Sequence, residues 1–425
     1  METTALKEKD IYKTSRLAYI FEAAFEYFIA ITSMGAYLAK LTTSLGISDS
    51  MTAILTALTS LACSFQIISI FLTHKTPVKR WVIPSQIFAN LLFAALFLIP
   101  FLNVSVNTAI IFFVVILTAR ALKNISQPAK TNWFISLIED RRRGQFQAIL
   151  NIISLIGGIG FSFLISRVID SFDKKGNLKG AFLFITITIL VLTMLHTLSL
   201  LLAKEKEIPI DKSESHLKSL KNLIANRKYR LVLILYIIWT VASNVTAPFL
   251  GTYQISDLGF SLTLVATIDI VMSLLNIPLL YFFGRCSIRK SYSSIMRLSY
   301  LFAIAAYICL AFSTKSNGIV VYTLYRIINL LTASSQAVSS TNLVFDVVPA
   351  NERTAAFALN SAVLGLIGFL TTLAVSPLVD YIQTNGNMFL GFNIFAQQLL
   401  AIISAFIIVI LVIYYYTYCK RVLEE

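Results

Sequence analysis

Residues Gly180–Ala203 read GAFLFITITILVLTMLHTLSLLLA, an unbroken stretch without a single Asp, Glu, Lys or Arg. At 1.5 Å per residue such a helix is about 36 Å long, enough to cross roughly 30 Å of hydrocarbon. A soluble core does not call for a run of this length, so the segment is read as a transmembrane helix. Comparable runs precede it near 17–39, 50–73, 81–101, 108–138 and 144–171. Six more follow near 231–253, 259–283, 293–313, 317–348, 354–382 and 389–418. The whole chain agrees: 57% of its residues are hydrophobic and 13% charged, against about 25% charged in a typical soluble domain.

The net charge of +14 would suit a polyanionic partner, but its distribution explains it as topology. Lys and Arg gather before the first run, at Lys75–Arg80, at Arg141–Arg143, between Lys204 and Arg230, from Arg285 to Arg297, and at Lys420–Arg421. These loops fall on one side of a twelve-span chain, and the other side holds only Lys40, Arg167, Lys174, Lys175, Lys179 and Lys315. Cytoplasmic loops carry the basic excess, so both termini are expected in the cytoplasm and no nucleic-acid partner is expected. Residues 1–16 show no cleavable signal pattern, which makes the first run an uncleaved span. Abundant Ile, Lys and Asn suggest a low-GC bacterium and hence the cytoplasmic (cell) membrane.

Sliding the sequence by 210 residues aligns Lys79-Arg80 with Arg289-Lys290 and Arg143 with Arg353. In the fifth and eleventh spans it also aligns Ala148 with Ala358, Gly158 with Gly368, Ser166 with Ser376 and Asp170 with Asp380. A duplicated six-span unit accounts for this economically. The expected fold is therefore an all-α integral membrane protein of twelve transmembrane helices. It forms two six-helix bundles related by pseudo-two-fold symmetry around a central polar cavity, with bundles at 1–203 and 231–425 and a cytoplasmic linker at 204–230.

Twelve spans, a six-plus-six duplication and a charged central linker resemble the major facilitator superfamily (MFS) from end to end. The loop from Gly284 through Arg285 to Arg289 and Lys290 is similar to the family's glycine and basic signature between paired helices, and His74–Arg80 is its degraded counterpart; both lack the usual Asp. The resemblance implies gate roles for Lys79, Arg80, Gly284, Arg285, Arg289 and Lys290. The run Gly157-Gly158-Ile159-Gly160 is similar to the glycine-rich antiporter motif without its Pro, and is read as close helix packing.

Polar groups in hydrocarbon are costly and face an interior or a watery cavity. They concentrate in spans one (Tyr19, Glu22, Glu26, Ser33), four (Arg120, Lys123, Asn124, Gln127, Thr131), seven (Tyr236, Thr240, Ser243, Asn244) and ten (Tyr322, Arg326, Asn329, Gln336, Ser340). Spans three, six, nine and twelve are largely apolar, and the resemblance implies the same division into cavity-lining and lipid-facing helices. Helical rise brings Glu26 and Arg120 to similar depths. Glu22 and Glu26 are therefore expected to interact with Arg120 and Lys123, either as a proton-released coupling network or as a static ion pair. Arg326 is a candidate for binding a substrate anion or carbonyl, unless Asp269 in span eight, itself a coupling candidate, neutralises it. The expected substrate-binding set is Arg120, Asn124, Gln127, Tyr236, Asn244, Tyr322, Arg326, Asn329 and Gln336, with Glu22, Glu26, Lys123 and Asp269 as the proton-coupling set.

Cys63, Cys286, Cys309 and Cys419 are scattered without pairing or metal spacing, and His74, His196 and His216 lie far apart. No nucleophile elbow, phosphate-binding loop or H-E-x-x-H helix is present, so no enzyme, ATP use, cofactor or metal is expected. The expectation is a monomeric secondary transporter that moves a small polar organic solute, a sugar or organic anion, by alternating access in symport with a proton. Multidrug or metabolite efflux by antiport and a non-transporting membrane sensor are the alternatives.

Overall fold

A computed structural model describes residues 12–68, 77–102, 107–138, 143–205, 222–289, 291–349 and 352–423. These residues are almost entirely helical. Helices α1 (Lys13–Thr32), α2 (Gly35–Ser44), α3 (Asp49–Cys63), α4 (Val78–Leu96), α5 (Thr108–Ser136), α6 (Arg143–Lys174) and α7 (Leu178–Leu202) come first. They are followed by α8 (Arg227–Thr246), α9 (Leu262–Arg289), α10 (Tyr292–Ala311), α11 (Gly318–Val347), α12 (Arg353–Thr384) and α13 (Ala396–Tyr414). Among the described residues, nine helical segments are long and apolar enough to cross a membrane. The helices α3, α4 and α11 are not among them: α3 is 15 residues long, α4 carries Lys79 and Arg80 in its first turn, and α11 carries the polar stripe of Arg326, Asn329 and Gln336.

Two compact units form, one from residues 1–45 and 65–211, the other from 46–64 and 212–425. In the first, α1 packs on α6 and α7, and α4 packs on α5 and α7. In the second, α8 packs on α12 and α13, and α10 packs on α11 and α13. The neighbour pairs thus correspond helix for helix under the 210-residue offset. Glycines make some of these approaches possible. A Cβ at Gly158 would lie 2.3 Å from the Tyr27 ring on α1, and a Cβ at Gly157 would lie 2.7 Å from the Phe28 ring. Their counterpart Gly368 on α12 faces Asn244 of α8 in the same way, at 3.0 Å.

Sequence order counts α3 as the second span of the first half, but its contacts are with the second unit, where it lies along α12. The reason is a close backbone approach. A Cβ at Gly365 would sit 2.4 Å from the carbonyl oxygen of Ser60, and beside it Ser64 Oγ donates to the Ala362 carbonyl at 2.9 Å. At the other end of the pair, Ser50 Oγ donates to Asp380 at 2.5 Å and Gln383 Nε2 donates to Asp49 at 2.7 Å.

Span one is not a single helix. The chain leaves α1 at Ser33, runs extended through Met34 (φ −140°, ψ 168°) and starts α2 at Gly35 with φ +54°. The left-handed φ is accessible to glycine without steric cost, and the break leaves the Ser33 carbonyl free of the helical ladder.

The Gly365 contact is directly testable. Gly365→Ala is expected to cost about 1–3 kcal/mol by forcing α3 and α12 apart. Gly160→Ala, at a position with no atom within 4 Å, should leave thermal unfolding in detergent unchanged or slightly raised.

Candidate functional site

In the first unit the polar stripes of α1 and α5 face each other and meet one residue of α7. Glu22 and Glu26 are one turn apart on α1, so both carboxylates project from the same face. On α5, Lys123 and Lys130 are two turns apart and share a face for the same reason. The Lys130 ammonium sits between the carboxylates: Nζ donates to Glu22 Oε1 at 2.8 Å and to Glu26 Oε2. Lys123 Nζ donates to the other oxygen of Glu26 at 3.3 Å. From α7, His196 Nε2 lies 3.0 Å from Glu22 Oε1. Side-chain exposure grades along this set, from 21% at Glu26 and 12% at Lys123 to 2% at Lys130, 1% at Glu22 and zero at His196.

Isolated charges in such surroundings would be prohibitively costly, and they persist because each is paired and hydrogen-bonded. Glu22, Glu26 and His196 bring donor atoms close enough to suit a metal ion. The Lys130 ammonium already occupies the space between the two carboxylates and matches their charge, so the set is an ion-pair network.

The expected contact between Glu26 and Lys123 is present. Glu22 is held instead by Lys130 and His196, while Arg120 Nη2 donates to the Ser33 carbonyl at 3.0 Å and to Ser33 Oγ at 3.3 Å. The broken helix therefore supplies Arg120 with a backbone acceptor, and the ring of Phe93 lies 4.8 Å from its guanidinium carbon. Asn124 donates to the Arg120 carbonyl and accepts from Gln66 at 3.1 Å. Gln127 is half-buried one turn beyond Lys123.

Lys130 and His196 are absent from the residues that sequence reasoning selects. Lys130 had a signal, because it lies seven positions after Lys123 and so on the same helical face. His196 lies in the apolar run Gly180–Ala203, where a lone imidazole looks like packing; span six is not purely lipid-facing.

In the second unit Arg326 Nη2 donates to Asp269 at 2.7 Å, the neutralising contact that sequence spacing had offered as the alternative to substrate binding. Both side chains keep some exposure, 26% and 50%. Tyr322 is fully buried, its hydroxyl accepting from Gln254 at 2.7 Å and its ring against Phe260 and Tyr325. The Tyr236 hydroxyl donates to the Ser340 carbonyl at 2.6 Å, and Asn244 donates to the Thr240 carbonyl within its own helix. Both tyrosines are thus engaged in packing. Asn329 and Gln336 are half-buried on α11.

Of the expected gate residues, Lys79 has a defined task. Its Nζ donates to the carbonyls of Leu201 and Ala203 at 2.7 and 2.9 Å, capping the C-terminus of α7 as a cation should. In return Glu205 accepts from the first amides of α4, those of Val78 and Lys79, at 2.6 and 3.2 Å. Arg80 is exposed, and Arg285 lies over the Tyr281 ring with its Cζ 4.7 Å from the centroid. Gly284 has no atom within 4 Å of a notional Cβ. The backbone of Arg289 ends α9, its side chain lies outside the described residues, and so does Lys290 as a whole.

A chain of apolar helices that holds a partly accessible set of ion pairs in its interior has the architecture of a multi-pass membrane protein. The family model described as Major Facilitator Superfamily matches residues 20–372, and the chain belongs to that family; it is a multi-pass membrane protein and a secondary transporter, not an enzyme. Its fold is similar to that of the nucleoside transporter NupG, with a TM-score of 0.71 at 15% identity over 96% of this chain and 99% of that one. It is also similar to the POT family transporter PepTSo (0.69, 11%, 96% and 98%) and to a D-xylose-proton symporter (0.62, 14%, 94% and 97%). At such identities the likeness speaks for the fold alone. Among curated proteins, none matches this sequence significantly.

Removing Lys130 should be the most damaging single change in the network. Lys130→Met leaves a fully buried Glu22 without its cation and is expected to cost about 3–5 kcal/mol. Lys123→Met, at the more exposed end, should cost less. Adding Glu22→Gln to Lys130→Met should recover most of the loss, which a double-mutant cycle by thermal unfolding in detergent will read.

Proposed function

We propose that this protein moves a small polar organic solute, a sugar or an organic anion, by alternating access, driven by a proton gradient. The observation that carries the reading is the buried alternation of Lys123, Glu26, Lys130 and Glu22, graded from partly accessible to dry. Intramembrane ionisable groups are costly and are by default functional, and a network in which every charge is held by opposite partners can take up a proton only by loosening those pairs. That requirement ties a proton to a rearrangement, which is what coupling demands. Neighbouring folds are consistent with polar cargo: they include a nucleoside transporter and a D-xylose-proton symporter.

The twelve-span count belongs to the same reading, with bundles at 1–203 and 231–425 joined by a linker at 204–230, cytoplasmic termini and a monomer in the cell membrane. It is supported by the corresponding neighbour pairs of the two units and by the basic loops on one side. Solute contact is assigned to Arg120, Asn124 and Gln127 in the first unit. In the second it is assigned to Arg326, Asn329 and Gln336, with Tyr236, Tyr322 and Asn244 as supports behind them and Asp269 as the counter-ion of Arg326.

Purified protein in proteoliposomes, screened with labelled sugars, nucleosides and organic anions, should accumulate one class when the interior is made alkaline and only equilibrate it without a pH gradient. Glu26→Gln should abolish the gradient-driven accumulation while retaining solute exchange. Full gradient dependence in Glu26→Gln would remove this carboxylate from coupling.

A further inference from the structure

The five interacting side chains form a single series, Lys123–Glu26–Lys130–Glu22–His196, with one end partly accessible and the other fully buried. Two ammonium groups balance two carboxylates, which leaves the imidazole as the odd member. An ionised carboxylate only accepts hydrogen bonds, so the hydrogen between His196 and Glu22 resides on Nε2, and in the neutral imidazole Nδ1 carries the lone pair. That atom is buried and has no hydrogen-bond partner among the described residues. It is an acceptor in a dry setting, where an unmet polar atom is costly. A second observation concerns the other side of the ring. His196 Nε2 and Lys130 Nζ share one acceptor, Glu22 Oε1, at 3.0 and 2.8 Å.

We propose that His196 is the proton acceptor of this transporter, and that the imidazolium takes over Glu22 Oε1, moves Lys130 fully onto Glu26 and releases Lys123 to bind an anionic group of the solute. The inference rests on the proton-driven reading above and deepens it by naming the acceptor and the solute class, a molecule bearing a carboxylate or phosphate. The step balances: one N–H bond forms at Nδ1 as an O–H bond of a hydronium ion breaks and leaves water, and the series, its imidazole neutral beforehand, goes from neutral to +1. A singly charged anionic group at Lys123 returns it to zero, so proton and anion travel together. In a low-dielectric interior, neither is well tolerated without the other.

Other charges near His196 do not displace this assignment. From α1 it is met by Glu22 and Glu26, with Tyr19 one turn below Glu22, and from α5 by Lys130. The helix α4 bears charge only at Lys79 and Arg80, and Lys79 reaches α7 at its last carbonyls. The helix α6 bears its charges at its two ends, Arg143 and the stretch from Arg167 to Lys174, where Asp173 pairs with Lys40.

The test uses the full-length protein in nanodiscs with ¹³C-labelled histidine, titrated across the range in which imidazoles change charge, about pH 5 to 8. The His196 resonance is identified by its loss in H196Q, a variant that keeps a donor toward Glu22; H196N serves if H196Q does not fold. In parallel, acetylation of Lys123 by acetic anhydride is quantified by mass spectrometry relative to that of Lys315. The expected result is an His196 signal that moves from the Nε2–H tautomer to the imidazolium, together with a several-fold rise in relative Lys123 labelling that is lost in H196Q. An His196 signal that holds one state throughout, or Lys123 labelling that follows pH equally in H196Q, would overturn the inference. Uptake by the unmutated protein that ignores a pH gradient would remove the coupling reading instead, and would leave both of these measurements intact.

Discussion

One ammonium group holds the interior of the first unit together. Lys130 is the common donor to both acidic residues of α1, and those residues in turn receive Lys123 from α5 and His196 from α7. In hydrocarbon a charge has no water to fall back on, so each helix that contributes one is obliged to stay within hydrogen-bond reach of its partners. This requirement helps to register three helices against each other. Apolar packing then closes around it, with Trp133, Phe134 and Tyr19 stacked beside the charged stripe.

The second unit shares the neighbour pattern but not the chemistry. Where α1 meets α7 through Glu22 and His196, α8 meets α13 through the hydroxyls of Thr246 and Ser404, 2.6 Å apart. Its one described intramembrane ion pair, Arg326 with Asp269, joins α11 to α9 and is more exposed than the dry end of the Lys130 network. The two units therefore share helix contacts that glycines and small polar residues make, while their ionisable groups differ. Residues 116 and 330, which the offset places opposite Arg326 and Arg120, are Ile and Leu.

The helices, their spacing and much of the charged stripe were legible because they are local properties of the chain: length of apolar run, and recurrence at three, four and seven positions. Glu22, Glu26 and Lys123 emerged from that periodicity, and Lys130 obeys it too. His196 was not legible, since its role depends on which helix faces it, and that is decided by contacts far apart in sequence. The association of α3 with α12 was hidden for the same reason. It depends on Gly365 meeting the backbone at Ser60, and no local pattern links positions so distant. Nor did the aromatic stripe residues Tyr236 and Tyr322 reveal from spacing that their hydroxyls are spent on a carbonyl and an amide within the protein.

The interruption between Ser33 and Gly35 has a mechanical consequence. An intact helix transmits rotation about its axis because every turn is bonded to the next, and here that ladder is cut between a 20-residue and a 10-residue piece of a single span. Above the cut, α2 is fastened to α6 through Tyr37 to Ser162 and Ser166 and through Lys40 to Asp173; below it, α1 is fastened to α5 and α7 through the charges. Both pieces of the span pack on α6, but the helical ladder between Glu26 and Lys40 is interrupted, so a rotation of one piece is not passed to the other along the backbone. The guanidinium of Arg120, seated on the carbonyl that the cut exposes, bridges the joint from α5, so that it acts as a swivel with a removable peg.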